Sequence, residues 1–309
     1  MDSKGNAILC QPVKRISFES SNKKNNKKNH NFPIPRLALR SILLESLGDK
    51  DENHVIWGKE YSHYEENLDK VIIYFKDGTN YEADLLIGCD GIWSKVRNQL
   101  IKDEPVYLGV YMINGINICP HNLFQDRVVQ IVDGQVRLFT KPFDDEKIMW
   151  QVTFPVDYHE LEHYLEFQNS NKEMLLKIVI EKLKNWFPLA QELISTTEIE
   201  NLRGGGLYDR NVIKKENITM KSDESSSWPS KRVILIGDSL HPMSPFKGQG
   251  ANQALTNSYL FATLLEDHLK LHSTLINQEW IQLMDQFFFF LLFNLMIIVQ
   301  ILILIYNFN

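Results

Sequence analysis

The chain has 309 residues, of which 44% are hydrophobic and 23% charged, values that exclude fibrous and wholly disordered proteins and suit about two globular domains. Its 33 basic and 39 acidic residues give a net charge of −6, which argues against a general nucleic-acid-binding protein. Three cysteines, Cys10, Cys89 and Cys119, are far apart and match no metal-ligand spacing. We therefore expect neither a disulfide scaffold nor a metal site. The cysteine pattern instead favours a reducing, cytoplasmic location.

The N-terminal third of the chain predicts a loop, a helix and a β-hairpin. The lysine- and asparagine-rich stretch 20–31 is low in complexity and is expected to be a solvated loop. Leucines at helical spacing follow Pro35 and predict an amphipathic helix over 36–47, which Gly48 ends. Short strands are predicted at 55–57, 71–75 and 81–83, the last two being joined by the turn 76–79.

Residues 84–97, DLLIGCDGIWSKVR, form the first stretch that can carry chemistry. A short apolar run ends in Asp90-Gly91, as expected for a buried parallel strand, and a helix begins near Ser94. Ser94 is suited to cap that helix, and Asp90 is expected to point at whatever lies across the strand ends.

The middle of the chain predicts a second domain. Between residues 106 and 156, β-type runs alternate with turns, and the Asp133-Gly134 pair is a strong hairpin signal. These runs predict an antiparallel sheet. Helices are predicted further on at 160–166, 172–187 and 249–269, the second of them ended by Pro188.

Residues 232–255, RVILIGDSLHPMSPFKGQGANQAL, form the second stretch that can carry chemistry. A buried strand ends in Gly237-Asp238, and a proline-pinned loop precedes Gly248 and Gly250, which open a helix. Glycines let backbone amides approach a ligand, and a helix start offers unpaired N–H groups and the positive end of a dipole. The pattern suits an anionic ligand whose hydroxyls, such as those of a ribityl chain, donate to Asp238. Taken alone, the glycine pair favours a purely structural strand–loop–helix.

The C-terminal segment 286–306 carries no charge, and its polar residues are few. As a helix it would span about 30 Å, the thickness of a bilayer's hydrocarbon core. One hypothesis is a C-terminal transmembrane helix that anchors a cytosolic globular part. The other is an artefact of the gene model, because phenylalanine, isoleucine, leucine, asparagine and tyrosine share AT-rich codons.

Taken together, the two chemistry-bearing stretches resemble the DG motif (84–97) and the GD motif (232–255) of the class A flavoprotein monooxygenases. This superfamily includes aromatic hydroxylases and zeaxanthin-epoxidase-like enzymes. The matching residues are Asp90, Gly91, Ser94 and Arg97 in the first motif, and Gly237, Asp238, His241, Pro242, Pro245, Gly248, Gln249, Gly250 and Asn252 in the second. The resemblance weakens at Asn257-Ser258, where the family usually has Asp-Ala.

The resemblance implies a fold and a cofactor site. The expected fold is α/β, with a FAD-binding parallel sheet and helices (an incomplete Rossmann-like domain) plus an inserted antiparallel-sheet substrate domain. The FAD-binding parts would span 1–102 and 229–275, and the substrate domain 103–228. The residues expected to bind FAD are Arg36, Asp90, Gly91, Arg97, Asp238, Pro245, Gly248, Gly250, Ala251 and Asn252.

The activity that the resemblance implies is that of an FAD-dependent, NAD(P)H-using monooxygenase, which inserts one oxygen atom of O2 into an aromatic or polycyclic organic substrate. No catalytic side chain is assigned, since the cofactor performs the difficult step. Two alternatives remain open. One is a catalytically inactive fragment or binding module that has lost FAD, and the other is a flavoprotein of the same fold with different chemistry, such as a halogenase or a reductase.

The family opens with a strand, a GxGxxG sequence and a helix that hold the FAD pyrophosphate. No GxGxxG precedes the DG motif in this chain. The resemblance therefore implies an N-terminally shortened member, and we expect it to bind FAD weakly.

Overall fold

The computed structural model describes residues 4, 34–47, 55–118, 121–125, 127–144, 146–210, 229–271, 280 and 283. The chain divides into two compact units. The sheet unit comprises Met1–Val55 and Tyr107–Leu207, and the motif unit comprises Ile56–Val106 and Tyr208–Asn309. The domain bounds expected from the sequence stay predictions, and the segment 286–306 lies outside the described residues.

The described residues form seven α-helices and ten strands. The helices are α1 (Arg36–Glu45), α2 (Lys95–Ile101), α3 (Asn122–Gln125), α4 (Tyr158–Ser170), α5 (Lys172–Lys182), α6 (Pro188–Ser195) and α7 (Gly250–Leu271). The strands are β1 (Tyr61–Glu66), β2 (Val71–Phe75), β3 (Asn80–Ala83), β4 (Leu86–Gly88), β5 (Val106–Ile118), β6 (Val129–Val132), β7 (Arg137–Pro142), β8 (Lys147–Pro155), β9 (Arg203–Asp209) and β10 (Val233–Leu235). Single turns of 3-10 helix lie at Ile199–Asn201, Gly237–Ser239 and Pro245–Lys247.

The motif unit holds two small sheets. Strands β1, β2 and β3 form an antiparallel sheet, and β4 pairs in parallel with β10. The hairpin of β2 and β3 confirms the sequence prediction. The strand predicted at 55–57 is wrong, because the chain turns at Trp57-Gly58, where Gly58 has a φ of 78°, and β1 begins only at Tyr61.

The core of the motif unit gathers around β10, all three of whose residues are buried. Its buried members are Tyr64, Val71, Val96, Val233, Ile234, Leu235, Ile236, Leu240, Phe261 and Trp280. Gln99 fastens α2 to β1, since its Nε2 donates to the Tyr64 carbonyl at 2.7 Å and its Oε1 accepts from the Tyr64 N–H at 3.0 Å. These contacts hold α2 in place beside the parallel strand pair.

The sheet unit is built on five strands in the order β6-β7-β8-β5-β9. The pairs β6–β7, β7–β8 and β8–β5 are antiparallel, as the sequence predicts. The predicted hairpin turn is confirmed as well, because the Asp133 carboxylate accepts hydrogen bonds from the Gln135 and Val136 N–H groups.

Helices α4, α5 and α6 cover one face of this sheet. Trp150 of β8 donates through Nε1 to Thr197 Oγ1 at 3.0 Å, and Asn117 of β5 donates to the Leu193 carbonyl at 2.8 Å. The prediction of one helix over 172–187 is wrong at its end. Helix α5 stops at Lys182, and Pro188 begins α6 instead of ending α5, since proline suits the first helical turn.

Helix α1 forms where the sequence predicts it, with Pro35 as its N-cap. None of its residues is buried. The predicted apolar stripe is present on the helix, but within the described residues nothing buries it, and Leu37 is 74% exposed.

Candidate functional site

The parallel pairing of β4 with β10 brings the two sequence motifs together. The register aligns Leu86 with Val233 and Gly88 with Leu235. The Ile236 N–H then donates to the Gly88 carbonyl at 3.1 Å, so the pairing continues one residue beyond β10. Since parallel strands end at the same sheet edge, Asp90-Gly91 and Gly237-Asp238 leave the sheet side by side. We call this edge the strand-end site.

Gly88 is required where β4, β10 and α2 meet. A Cβ atom added there would lie 2.7 Å from Leu235 Cδ2 and 3.1 Å from Val96 Cβ. Any side chain would push α2 away from the strand pair. The glycine that ends the apolar run of the DG motif is thus explained by close packing.

Asp90 is placed differently from the sequence expectation. Its Oδ1 accepts from the Ser94 hydroxyl at 2.5 Å, and its Oδ2 accepts from the Lys95 and Val96 N–H groups at 2.8 and 3.2 Å. The carboxylate therefore caps α2 and does not point across the strand ends, because unpaired N–H groups at a helix start attract it. Ser94 caps the helix as predicted, accepting from the Arg97 N–H at 2.9 Å.

The side chain of Arg97 is fully buried. Its Nε donates to Asp103 at 2.9 Å, and its Nη1 donates to the carbonyl oxygens of Ser239, at 3.2 Å, and Leu240. The guanidinium thus joins α2 to the loop that follows β10. This arrangement suits a positioning role at the strand-end site, and the FAD contact expected of Arg97 stays a prediction.

Arg210 completes this buried cluster and was missed by sequence reasoning. Its Nη1 donates to Asp103 Oδ1 at 2.6 Å, and its Nε donates to the Ile92 carbonyl at 2.7 Å. Two buried arginines therefore share one carboxylate. No local pattern marks Arg210, since it lies more than a hundred residues from Ile92 and Asp103.

In the loop after β10, Asp238 is exposed although its chain neighbours Gly237 and Ser239 are buried. Gly237 has a φ of 64°, and an added Cβ would lie 3.3 Å from Ala254 Cβ of α7, so this turn needs a glycine. Asp238 is exposed, and its Oδ1 lies 3.6 Å from the position that a Cβ on Gly250 would take. The carboxylate and the first turn of α7 thus flank the same open space.

His241 and Asn257 form a buried polar pair behind this loop. His241 Nε2 contacts Asn257 Nδ2, and the two residues are 7% and 1% exposed. His241 Nδ1 is buried without a hydrogen-bond partner among the described residues. Burial lowers the pKa of His241, and an amide partner cannot offset this as a carboxylate would. Asn257, where the family usually has aspartate, is therefore the neutral partner of the motif histidine.

The remaining predicted site residues separate into two groups. Gly91, Pro245, Gly248, Gly250, Ala251 and Asn252 lie in the motif unit with Asp90, Arg97 and Asp238. Of these, Pro245, Gly248, Ala251 and Asn252 are exposed. Arg36 belongs to the sheet unit, at the exposed start of α1. Its expected flavin contact stays a prediction.

A cavity of about 320 Å³ lies along α2 within the motif unit. Its lining residues are Ser62, Trp93, Ser94, Lys95, Asn98, Gln99, Glu104 and Arg210. The Trp93 ring is 59% exposed and rests edge-on against Tyr208, with ring centroids 4.8 Å apart. The cavity thus combines an aromatic surface with amides, two cationic side chains and the carboxylate of Glu104.

The residues of the strand-end site fit FAD. An exposed carboxylate at a strand end suits ribityl hydroxyls, and the N–H groups of the α7 start suit negative charge. Gly91 and Gly248 have positive φ angles, and within the described residues nothing lies within 4 Å of where their Cβ atoms would stand. This leaves room for a ligand to approach the backbone closely.

Comparison with known proteins decides the family. A family model described as "FAD binding domain" matches residues 17–275. The chain belongs to this family, that of the class A FAD-dependent monooxygenases. The resemblance carried by the DG and GD motifs is therefore confirmed.

Curated proteins of similar sequence support the same family. The chain is 32% identical over 237 residues to the chloroplastic zeaxanthin epoxidase of an Oncidium hybrid cultivar, covering 75% of this chain and 32% of that protein. It is 23% identical over 280 residues to the aurachin C monooxygenase/isomerase of Stigmatella aurantiaca, covering 90% of this chain and 65% of that protein. The chain thus spans about a third of the length of the zeaxanthin epoxidase that it matches.

Solved structures share the fold. HpxO of Klebsiella pneumoniae, in complex with FAD and uric acid, matches with a TM-score of 0.61 and 21% identity, over 75% of this chain and 54% of that one. The 2,6-dihydroxypyridine-3-hydroxylase of Arthrobacter nicotinovorans matches with a TM-score of 0.58 and 20% identity, over 74% and 59%. The α/β fold predicted from the sequence is confirmed.

Two further kinds of site are absent from the described part of the chain. No helix there is long and apolar enough to cross a membrane. No group of three or more metal-ligating side chains comes together in the same residues.

Proposed function

We propose that this protein binds FAD at the strand-end site and acts as a monooxygenase, transferring one oxygen atom of O2 to an aromatic or polycyclic organic substrate with NAD(P)H as the reductant. The observation that carries the proposal is the convergence of the two motifs: exposed Asp238 and the start of α7 flank one open space at the carboxyl ends of β4 and β10. Membership of the monooxygenase family supports it.

In this proposal each part of the strand-end site has a distinct task. Asp238 accepts hydrogen bonds from the hydroxylated chain of the cofactor. The N–H groups at Gly250 and Ala251 stabilise negative charge, because the positive end of the α7 dipole lies there. When bound, FAD would supply the redox chemistry, taking electrons from NAD(P)H and passing them to O2.

Three residues act indirectly. Asp90 and Ser94 cap α2, and Arg97 holds the carbonyl oxygens of the loop after β10. This network keeps the two strand ends at a fixed separation. A rigid, preorganised site is what electrostatic stabilisation and substrate positioning require.

We further propose that NAD(P)H is recognised at the cavity along α2. The exposed face of Trp93 offers a stacking surface for a planar ring, and Lys95 offers a cation for a phosphate. Replacement of Trp93 by alanine should raise the KM for NADPH and leave the flavin content unchanged. An unchanged KM would place the reductant elsewhere.

The decisive experiment is purification of the full chain, followed by flavin extraction and mass spectrometry. The expected results are uptake of one added FAD per chain at saturating FAD, and NADPH oxidation that yields an oxygenated product. A colourless protein that takes up no added FAD would instead support the inactive-module alternative. FAD with NADPH oxidation but no oxygenated product would favour a reductase.

Two expectations from the sequence stay predictions within this proposal. These are the cytoplasmic location and the membrane anchor at 286–306. Sedimentation of the protein with membranes, and its resistance to carbonate extraction, would support the anchor.

A further inference from the structure

The cavity along α2 is lined by an arginine whose hydrogen bonds are incomplete. Arg210 is 7% exposed and lines this cavity. Its Nε and Nη1 donate to the Ile92 carbonyl and to Asp103, whereas its Nη2 donates to no described residue. A buried guanidinium nitrogen needs an acceptor. Nη2 therefore offers a donor to an anionic group placed in the cavity.

Two shared carboxylates leave positive charge beside this cavity. Asp103 accepts from both Arg210 and Arg97, as described above, so it neutralises only one of the two guanidinium groups. Glu60 is shared in the same way by Lys95 and Lys76, whose Nζ atoms lie 2.8 and 2.6 Å from its Oε1. Each pair of cations thus keeps one charge in excess, and one cation of each pair lines the cavity.

The rest of the lining suits a nucleoside. The Trp93 ring is 59% exposed and offers a surface for a base. Glu104 is the one carboxylate among the described lining residues, and it can accept hydrogen bonds from the amino and hydroxyl groups of a nucleoside.

The volume of the cavity limits the size of its ligand. Small-molecule sites have volumes of roughly 300–1,000 Å³, and this cavity, at about 320 Å³, lies at the lower end of that range. It therefore suits one nucleoside phosphate rather than a whole dinucleotide. A phosphate monoester also matches the two cations, because its oxygens accept charge-assisted hydrogen bonds from arginine and lysine.

We propose that the cavity along α2 binds the adenosine 2′-phosphate moiety of NADPH, and that the protein therefore prefers NADPH to NADH. Arg210 Nη2 and Lys95 Nζ hold the phosphate, and the adenine ring lies against Trp93. NADH has a hydroxyl group in place of this phosphate, so it leaves Arg210 without an anion. The inference rests on the proposed recognition of NAD(P)H at this cavity, and it names the reductant selected and the side chains that select it.

The test uses the full chain in saturating FAD and two probes that differ only by the 2′-phosphate, adenosine 2′,5′-bisphosphate and adenosine 5′-monophosphate. Calorimetric titration should show that the bisphosphate binds at least about tenfold more tightly, and added salt should reduce this preference. Arg210→Gln should abolish the preference, and Lys95→Gln should reduce it at least about threefold. Inorganic phosphate should bind more weakly than the bisphosphate, because it has no base to lie against Trp93.

Lys76→Gln is the matched control. Lys76 pairs with the same Glu60 as Lys95 but does not line the cavity, so its replacement should leave the preference as it is in the parent. Circular dichroism and the urea unfolding midpoint show whether Arg210→Gln is folded. If Arg210→Gln does not fold, Lys95→Gln decides, because Lys95 is exposed and its replacement leaves the buried cluster intact.

Several outcomes would overturn the inference. These are equal affinities for the two adenosine probes, no binding of either, a preference that survives in folded Arg210→Gln, or a preference that Lys95→Gln changes no more than Lys76→Gln does. Inorganic phosphate that binds as tightly as the bisphosphate would make the cavity a site for small anions and would also overturn it.

The same samples separate this inference from the proposed function. If the chain holds FAD and oxygenates a substrate, but shows no preference for the bisphosphate and has the same kcat/KM with NADPH and NADH, the inference fails alone. If the preference is found and no oxygenation occurs with either reductant, the proposed monooxygenase function fails alone.

Discussion

Arg97 Nη1 lies 3.2 Å from the carbonyl oxygen of Ser239, a residue 142 positions further along the chain. This contact joins the DG motif to the GD motif through a side chain that is fully buried. The motifs therefore form one physical unit, in which a side chain of the first holds the backbone of the second. The same contact explains why an arginine suits this position, since its several donors can serve a carboxylate and two carbonyls at once.

Replacement of Arg97 by glutamine should destabilise the fold. The change leaves Asp103 with one arginine partner fewer and leaves buried carbonyl oxygens without a donor, and breaking a buried pair costs about 3–5 kcal/mol. Urea unfolding monitored by fluorescence measures the free energy of unfolding of each variant. The control Lys95→Gln removes an exposed cation and should change the stability by less than about 0.5 kcal/mol. Equal stability of the two variants would contradict the positioning role of Arg97.

Replacement of Asp238 by alanine should lower FAD retention. An exposed strand-end carboxylate is the expected acceptor for the hydroxylated chain, and loss of a charge-assisted hydrogen bond costs about 1.5–3 kcal/mol, or roughly tenfold or more in affinity. The flavin-to-protein absorbance ratio after gel filtration measures this. His159→Ala, on α4 of the sheet unit, should retain as much flavin as the parent. The hypothesis fails if both variants retain the same amount.

The His241–Asn257 pair should make stability depend on pH. Burial lowers the pKa of His241 below its usual value of 6.5, so the unfolded chain takes up a proton at a higher pH than the folded chain does. The free energy of unfolding should therefore fall as the pH drops below about 6.5 and level off below the folded-state pKa. The free energy of unfolding of the parent and of His241→Asn is measured with urea across pH 5 to 8. The difference between the two free energies at each pH gives the contribution of His241.

Replacement of Asn257 by aspartate tests the same pair from its other side. A carboxylate beside His241 favours the charged imidazole and raises its pKa. The Asn257→Asp variant should be less stable than the parent at pH 8, where a buried carboxylate faces a neutral ring, and the deficit should shrink as the pH falls towards 5.5. A deficit that is constant over this range would show that the two side chains do not titrate together.

Replacement of Gly88 by alanine should destabilise the motif unit by about 1–3 kcal/mol, because the added Cβ overpacks a closely filled site. The nearest atom, Leu235 Cδ2, would lie 2.7 Å away. Combining Gly88→Ala with Leu235→Val should recover part of the loss, since valine lacks that atom. Gly205→Ala, whose added Cβ would lie 3.9 Å from Gln168 Oε1, is the control and should be near neutral.

Much of this protein was determined by the sequence alone. The two strand–turn–helix motifs, the β2–β3 hairpin and the Asp133-Gly134 turn depend on local backbone preferences and short apolar runs, which neighbouring residues specify. The family follows from the same motifs. Local patterns were less decisive at Pro188, because proline is equally suited to end one helix and to begin the next.

Tertiary structure alone decided what the polar side chains do. Asp90 turned to the start of α2, Arg97 was buried against Ser239, and Asn257 met His241, in each case because a donor or acceptor had to be satisfied once water was excluded. Ser239, which Arg97 contacts, and Asp103, which Arg210 contacts, lie more than a hundred residues from these arginines in sequence, beyond the reach of any periodicity.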